Sequence, residues 1–402
     1  MKTIIFLGAG SEQAYVLQLA QELGYKTCVL DSNPDAVGKQ FSDIFFTCDI
    51  TSTSDILKTT KNISADGIFV HAIELSYVVS QVAEKLGLKC IKPDAAINST
   101  NKLKRLEIFK KNKIPCVTYG YAQNILEGKK IAKDICYPVV IKPIDNAGSR
   151  GVILIKNELE LERYFDESLS YCKQEKIILI EEFLQGPQIS SETIIHNGKM
   201  FTTGFSDRNY ENMERYCPYF VEDGGDMPSQ VNEKLKLKTI KIIEKSISSL
   251  GLNFGVAKGD LLIHNGTPIV LEMASRTSGG RFATHQVPTA TGVNILKPLL
   301  QMVCNDPINE NDFIPKFNQG CSQRYIIPEP GKITKVEGIE DAKKSPGVTS
   351  VIIDKDISKG TIIPNISNNA TRIGVVMAKG KTRDEAKYNA IRARNLIKIT
   401  TI

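Results

Sequence analysis

The sequence predicts an α/β unit built on a parallel sheet covered on both faces, followed by an α+β body and a small α+β closing segment. Three observations predict this. The first ninety or so residues alternate short β-branched runs with helical patterns. The middle mixes strands with hairpin-like spacing and helices, and the last ninety residues do the same on a smaller scale. The expected divisions are 1–95, 96–308 and 309–402.

In chain order, "TIIFLGAG", "KTCVLDS", "DIFFTCD", "GIFVHAI" and "KCIKP" read as strands, and "EQAYVLQLAQELG" and "LSYVVSQVAEKLGL" as the helices between them. Pro93 and Asp94 punctuate the start of the second unit, where a helix is expected over about 100–112, ending before Ile114-Pro115. Strands follow in "YPVVIKPIDNAGSRGVILI", "KIILIEEFLQG" and "QISSETIIHNGKMFTTGF", with helices expected near 158–172 and 231–250. Residues 206–230, "SDRNYENMERYCPYFVEDGGDMPSQ", are polar and poor in aliphatics, and are expected to form a long loop, either a substrate-contacting lid with Arg208 as a substrate contact or a merely solvated loop. The closing segment carries "CSQRYIIP", "TSVIID", "TRIGVVMAKG" and a final helix over "TRDEAKYNAIRARNLIKI".

Bulk composition excludes several classes. The 402 residues carry 51 Lys and Arg against 45 Asp and Glu, but the excess is scattered along helix-like stretches, so no nucleic-acid partner is expected. Nine cysteines show no C-x-x-C pair, which argues against a disulfide framework or a zinc site and for reduced thiols in a cytoplasm. The apolar start is short and reads as a first strand, and no run approaches a membrane span, so a membrane partner is not expected.

The chemistry concentrates in "GDLLIHNGTPIVLEMASRTSGGR", residues 259–281. A turn centred on Gly266 places Asp260 opposite Glu272 and Leu262 opposite Val270, so two carboxylates share one face at a spacing where like charges repel. A shared proton, a neighbouring cation such as Arg276, or a divalent metal offsets that repulsion. Oxygen ligands beside arginines and a glycine turn favour Mg²⁺ on nucleotide phosphates, with Mn²⁺ as an alternative ion. Lys142 ends an apolar strand and precedes a small-residue loop containing Gly148 and Ser149, suited to phosphate oxygens. Glu181, Glu182, Phe183 and Leu184 end another strand and offer an adenine slot, with Glu182 or Gln188 as the ribose acceptor.

In this order the motifs resemble the ATP-grasp superfamily, whose relatives include biotin carboxylase, carbamoyl-phosphate synthetase and the L-amino-acid ligases. The resemblance implies an ATP-grasp fold with an N-terminal Rossmann-like domain and a small C-terminal α+β domain. It implies an ADP-forming carboxylate–amine ligase that activates a carboxylate as an acyl phosphate and joins it to an amine. By the same resemblance Lys102 and Lys142 contact phosphate, Glu181 to Leu184 form the adenine hinge, and Asp260 and Glu272 hold the metal. Arg276 then stabilises the acyl-phosphate and tetrahedral intermediates. "RTSGGRF" resembles the acceptor-pocket segment of some carboxylate ligases, with Arg276 and Arg281 holding a carboxylate or oxyanion beside the amides of Gly279 and Gly280. Two positions depart from the family pattern: Ala274 stands where many relatives have a third metal ligand, and Gln188 where a ribose-binding glutamate is frequent.

His285 is expected to pack rather than to accept a proton. Relatives suggest a homodimer. Two other readings stay open: a nicotinamide-dependent oxidoreductase using "GAGSEQ" with Asp31, although Gln13 occupies the third glycine position, and a non-catalytic ATP-binding module.

Overall fold

A computed structural model describes residues 1–402. Strands β1 (Thr3–Leu7), β2 (Lys26–Asp31), β3 (Ile44–Thr47) and β4 (Gly67–Val70) form a parallel sheet in the order β3-β2-β1-β4. Strand β1 is buried along its whole length, as a strand covered on both faces must be. Its alternate residues serve two cores, Ile4 and Phe6 in one and Ile5 and Leu7 in the other. Helices α1 (Ser11–Glu22), α2 (Thr53–Thr59) and α3 (Ser76–Leu86) connect the layers. The run "KCIKP" is not a strand: Lys92 precedes helix α4 (Pro93–Thr100), and Pro93 suits the first helical turn, where no amide hydrogen bond is lost.

Helix α5 (Lys102–Lys111) follows, capped by the Asn101 side chain, which accepts from the Lys104 amide. Next comes an antiparallel sheet of β5 (Tyr119–Ala122), β6 (Val139–Pro143), β7 (Ile153–Ile155) and β8 (Ile178–Glu182) in the order β5-β8-β6-β7. The helices at Ile125–Ile135 and Glu158–Ser170 pack with it around Val139, Ile141, Phe165 and Ile180.

The larger sheet contains β9 (Gln188–His196), β10 (Lys199–Asn209), β11 (Gly224–Met227), β12 (Gly255–His264), β13 (Thr267–Ala274) and β14 (Gly320–Ile326). The chain then adds β15 (Gly331–Glu337), β16 (Val348–Ile353), β17 (Ile362–Ile363), β18 (Gly374–Gly380) and β19 (Lys398–Thr401). Eight of these strands run in the order β13-β12-β9-β10-β11-β14-β18-β16, so hydrogen bonding crosses the division expected at 308/309. Strands β17, β15 and β19 make a separate small sheet, and the last residues are a strand rather than a continuation of the helix at Arg383–Leu396.

Residues 206–230 are not a long loop. They finish β10, form a short helix at Met213–Tyr216 and supply β11. "GGDM" has low strand propensity, but β10 and β14 provide both ladders. Any side chain at Gly224 would strike the Gln323 carbonyl, so glycine permits the close approach. Asp226 is fully buried and accepts from both terminal nitrogens of Arg324.

Candidate active site

The two antiparallel sheets face each other across a cavity of about 700 Å³, with the first turn of α1 at one end. The β12–β13 hairpin supplies its acidic wall. Asn265 and Gly266 both take left-handed conformations, with φ of 47° and 70°, giving the two-residue loop that suits a twisted hairpin. That loop pairs Leu262 with Ile269, not with Val270. A bulge between Asp260 and Leu261 then shifts the register and brings Asp260 opposite Glu272. The expected pair is therefore present, although the turn centre assumed for it was displaced.

Arg276 acts on the two acids from farther away, and the cation in direct contact with both is Lys258. Its Nζ lies 2.5 Å from Asp260 Oδ2 and 2.7 Å from Glu272 Oε2. Arg208 Nη1 adds a contact of 2.7 Å to Asp260, and its Nη2 lies 3.0 Å from Glu222. Burial by itself would raise both carboxyls. Arg208 and Lys258 outweigh it at Asp260, while Lys258, Arg105 and Lys102 do so at Glu272, so both are held below the usual carboxylate range. Two ionised oxygens converging on one cation form a hard donor set that fits Mg²⁺ and, by the same chemistry, Mn²⁺.

Lys102 also lines the cavity; it is buried and donates to the Asn146 carbonyl, and burial lowers its ammonium to about 8. Lys142 pairs with Glu181. The Glu182 carboxylate accepts from the Thr118 amide at 2.7 Å. The carboxylates of the expected hinge thus have partners within the fold, while Phe183, Leu184 and Gln188 line the cavity. Gly148 and Ser149 turn with φ of 70° and 60°, and Asn369 holds them: its amide donates to the Gly148 carbonyl and its Nδ2 to Ser149 Oγ, both at 3.1 Å.

Arg276 is brought to the cavity and pairs with Glu74 at 2.8 Å, tying the N-terminal unit to the hairpin. Arg281 points elsewhere. It begins a turn at φ 65°, contacts Asp354 and Ser11, and is 3% exposed. Gly279 and Gly280 line the cavity, but the Gly280 amide donates to Glu12 at 2.7 Å and so does not point at an oxyanion. His285 packs against Tyr15 at a ring distance of 5.3 Å, and burial lowers it to about 4.

The "GAGSEQ" turn contributes Glu12 to this cavity instead of a dinucleotide site. Asp31 accepts from the Ala9 and Asn33 amides, closing its own loop, and Gln13 donates to the His71 carbonyl. Sequence reasoning missed Lys258, Glu74 and Glu12 as cavity residues. Lys258 carried a legible signal, since it lies two residues from Asp260 and therefore on the same strand face. Glu12 and Glu74 carried none, because contacts between distant segments place them.

Comparison with known proteins follows the same lines. A family described as "ATP-grasp domain" matches residues 99–280, and one described as "L-amino acid ligase C-terminal domain 2" matches residues 324–401. Formate-dependent phosphoribosylglycinamide formyltransferase of Prochlorococcus marinus is 24% identical over 99% of this chain and 97% of its own. An L-amino acid ligase structure from Bacillus licheniformis superposes with a TM-score of 0.85 at 19% identity, covering 100% of this chain and 99% of that one. The biotin carboxylase domain dimer of Hydrogenobacter thermophilus 2-oxoglutarate carboxylase, solved with MgADP, gives 0.76 at 18% identity over 99% and 90% of the chains. No helix is long and apolar enough to cross a membrane. The chain carries an ATP-grasp domain over residues 99–280 and an L-amino acid ligase C-terminal domain over residues 324–401, and is an ATP-dependent carboxylate–amine ligase.

Proposed function

We propose that the protein joins the carboxylate of one amino acid to the amine of another, with the phosphoryl chemistry centred on Asp260, Glu272, Lys142 and Arg276. The observation that carries this reading is the Asp260–Glu272 pair in a cavity that Lys102 and Lys142 also line. The C-terminal match to an L-amino acid ligase domain supports the amino-acid substrates.

A carboxylate is a poor electrophile toward amines because its oxygen leaves badly. Attack of that oxygen on the γ-phosphorus of ATP releases ADP and gives an acyl phosphate, which an amine then opens with loss of phosphate. Lys102, Lys142 and the Gly148–Ser149 turn bind and orient the phosphates, which places the reacting atoms in line. Phe183 and Leu184 hold the adenine, and Gln188 accepts from a ribose hydroxyl. Arg276, kept in place by Glu74, faces the charge that develops on the carbonyl oxygen. Magnesium, when bound at Asp260 and Glu272, supplies charge neutralisation for the phosphoryl oxygens, and manganese is proposed to substitute for it. Arg208 orients Asp260, and its role as a direct substrate contact is secondary in this scheme. The divisions 1–95, 96–308 and 309–402 are proposed as functional units, with the protein working as a homodimer in the cytoplasm.

The test is coupled ADP-release screening over pairs of amino acids, with hydroxy acids and uronic acids as alternative carboxylates. Wild-type protein is expected to release ADP only when a carboxylate and an amine are both present. Asp260→Asn and Glu272→Gln are each expected to lower turnover by about 10² or more while the fold persists. Turnover retained in either variant removes that residue from the ligand set.

A further inference from the structure

We infer that Lys258 takes the place of a second cation, so that the carboxylate pair accepts one divalent ion rather than two. This rests on the reading of Asp260 and Glu272 as metal ligands.

The geometry comes from strand register. Lys258, Asp260 and Leu262 alternate onto one face of β12, and Lys258 is paired across β13 with Ala274. A methyl group opposite leaves room for the lysine to fold back over the face, and its ammonium bridges one oxygen of each acid at 2.5 and 2.7 Å. With its side chain 13% exposed, Lys258 is a desolvated charge with two partners, not a solvated lysine that strays near acids.

The supply of ligands points the same way. Two divalent ions need several oxygen donors each. Each of the other carboxylates lining the cavity is held through at least one oxygen by its own partner: Glu74 by Arg276, Glu181 by Lys142, Glu222 by Arg208, Glu182 by the Thr118 amide and Glu12 by the Gly280 amide. Ala274 offers no donor, and no cluster of three His, Cys, Asp or Glu side chains able to hold a metal is present. Asp260 and Glu272 are the two that share one ammonium instead of each having a separate cation. With Lys258 the trio carries one net negative charge, which a single divalent ion converts to one net positive charge facing the phosphates. A second ion would have to displace the ammonium and would then find at most one carboxylate of its own. Lys258 is therefore a positioning residue: it fixes both ligands and limits the site to one ion.

The experiment counts ions without turnover. Full-length protein is titrated with Mn²⁺ in the presence of a non-hydrolysable ATP analogue, with bound ion read from loss of the free-ion electron paramagnetic resonance signal. Wild-type protein is expected to bind one Mn²⁺ per chain, and Lys258→Met to bind two. Lys258→Gln serves as a second variant, and the wild-type count decides alone if neither variant folds. Two ions on wild-type protein, or one ion on wild type and variants alike, overturn the inference. No bound ion on wild-type protein overturns the metal-ligand reading of the pair itself, and this inference with it.

Discussion

Two buried groups beside the active cavity give stability opposite dependences on pH, and single substitutions separate them. His71 is 2% exposed, with Nδ1 2.7 Å from Thr277 Oγ1. Burial, then Arg281 and Arg276, lower it from 6.5 to about 3. Glu192 is fully buried, and burial raises it from 4.5 to about 7 even though it accepts from the Ser278 amide. The histidine's folded value is depressed, so the unfolded chain takes up its proton first. Its contribution is present above about pH 6.5 and is lost on acidification, costing about 2 kcal/mol between pH 8 and pH 5. The glutamate's folded value is raised, so its contribution is present below about 4.5 and is lost as pH rises through about 7, amounting to about 2.5 kcal/mol over the same interval with the opposite sign. In wild-type protein the two largely offset. His71→Asn keeps a partner for Thr277 and removes the titration, so its stability relative to wild type should improve by about 2 kcal/mol on going from pH 8 to pH 5. Glu192→Gln should worsen by a similar amount. Urea midpoints at pH 5, 6, 7 and 8 measure both. Variant curves parallel to the wild-type curve would refute the electrostatic account of this wall of the cavity.

Other expectations concern contacts between segments. Asn369→Ala releases the Gly148–Ser149 turn, and steady-state kinetics should show the KM for ATP rising roughly three- to tenfold with kcat within about twofold. An unchanged KM for ATP would remove Asn369 from the positioning of that turn. Gly280 has φ 63°, and a side chain there would strike the Tyr325 hydroxyl, so Gly280→Ala should lower stability by about 1–3 kcal/mol in urea melts. Replacing Glu74 with Gln and Arg276 with Met, singly and together, should give a coupling of about 1–3 kcal/mol in a double-mutant cycle on stability, since the pair lies 2.8 Å apart and both side chains are largely buried. Additive effects would show that the two do not act on each other.

Local rules made much of the site legible. The alternation of strand and helix predicts the N-terminal parallel sheet, because each strand must bury both faces and each helix one. Two places depart: "KCIKP", where a proline favours a helix start over a fifth strand, and Thr53–Thr59, a short helix that the sequence reading lacks. The hairpin itself is legible because an Asn-Gly turn between apolar runs is a property of neighbouring residues, while the Asp260–Glu272 pairing also needs the bulge that shifts the register by one residue. Its inner pairing fails at Leu262, because the two-residue Asn265–Gly266 loop sets Leu262 against Ile269. Residues 206–230 read as a loop because glycine and aspartate disfavour strands in isolation. Two flanking strands and the buried Arg324–Asp226 pair outweigh that preference.

The sequence by itself determined most of the order of elements, the acidic hairpin, the lysine-and-glycine segments that line the cavity and the resemblance these imply, since each depends on spacing within a few residues. Tertiary structure alone decided which charges meet. It set Lys258 and Arg208 against the acidic pair, drew Arg276 to Glu74 and Arg281 to Asp354, and gave the Gly280 amide to Glu12. A charged side chain bonds to whatever the packed chain brings within about 3 Å, and residues up to 268 positions apart arrive there only when the sheets and the N-terminal unit close around one cavity.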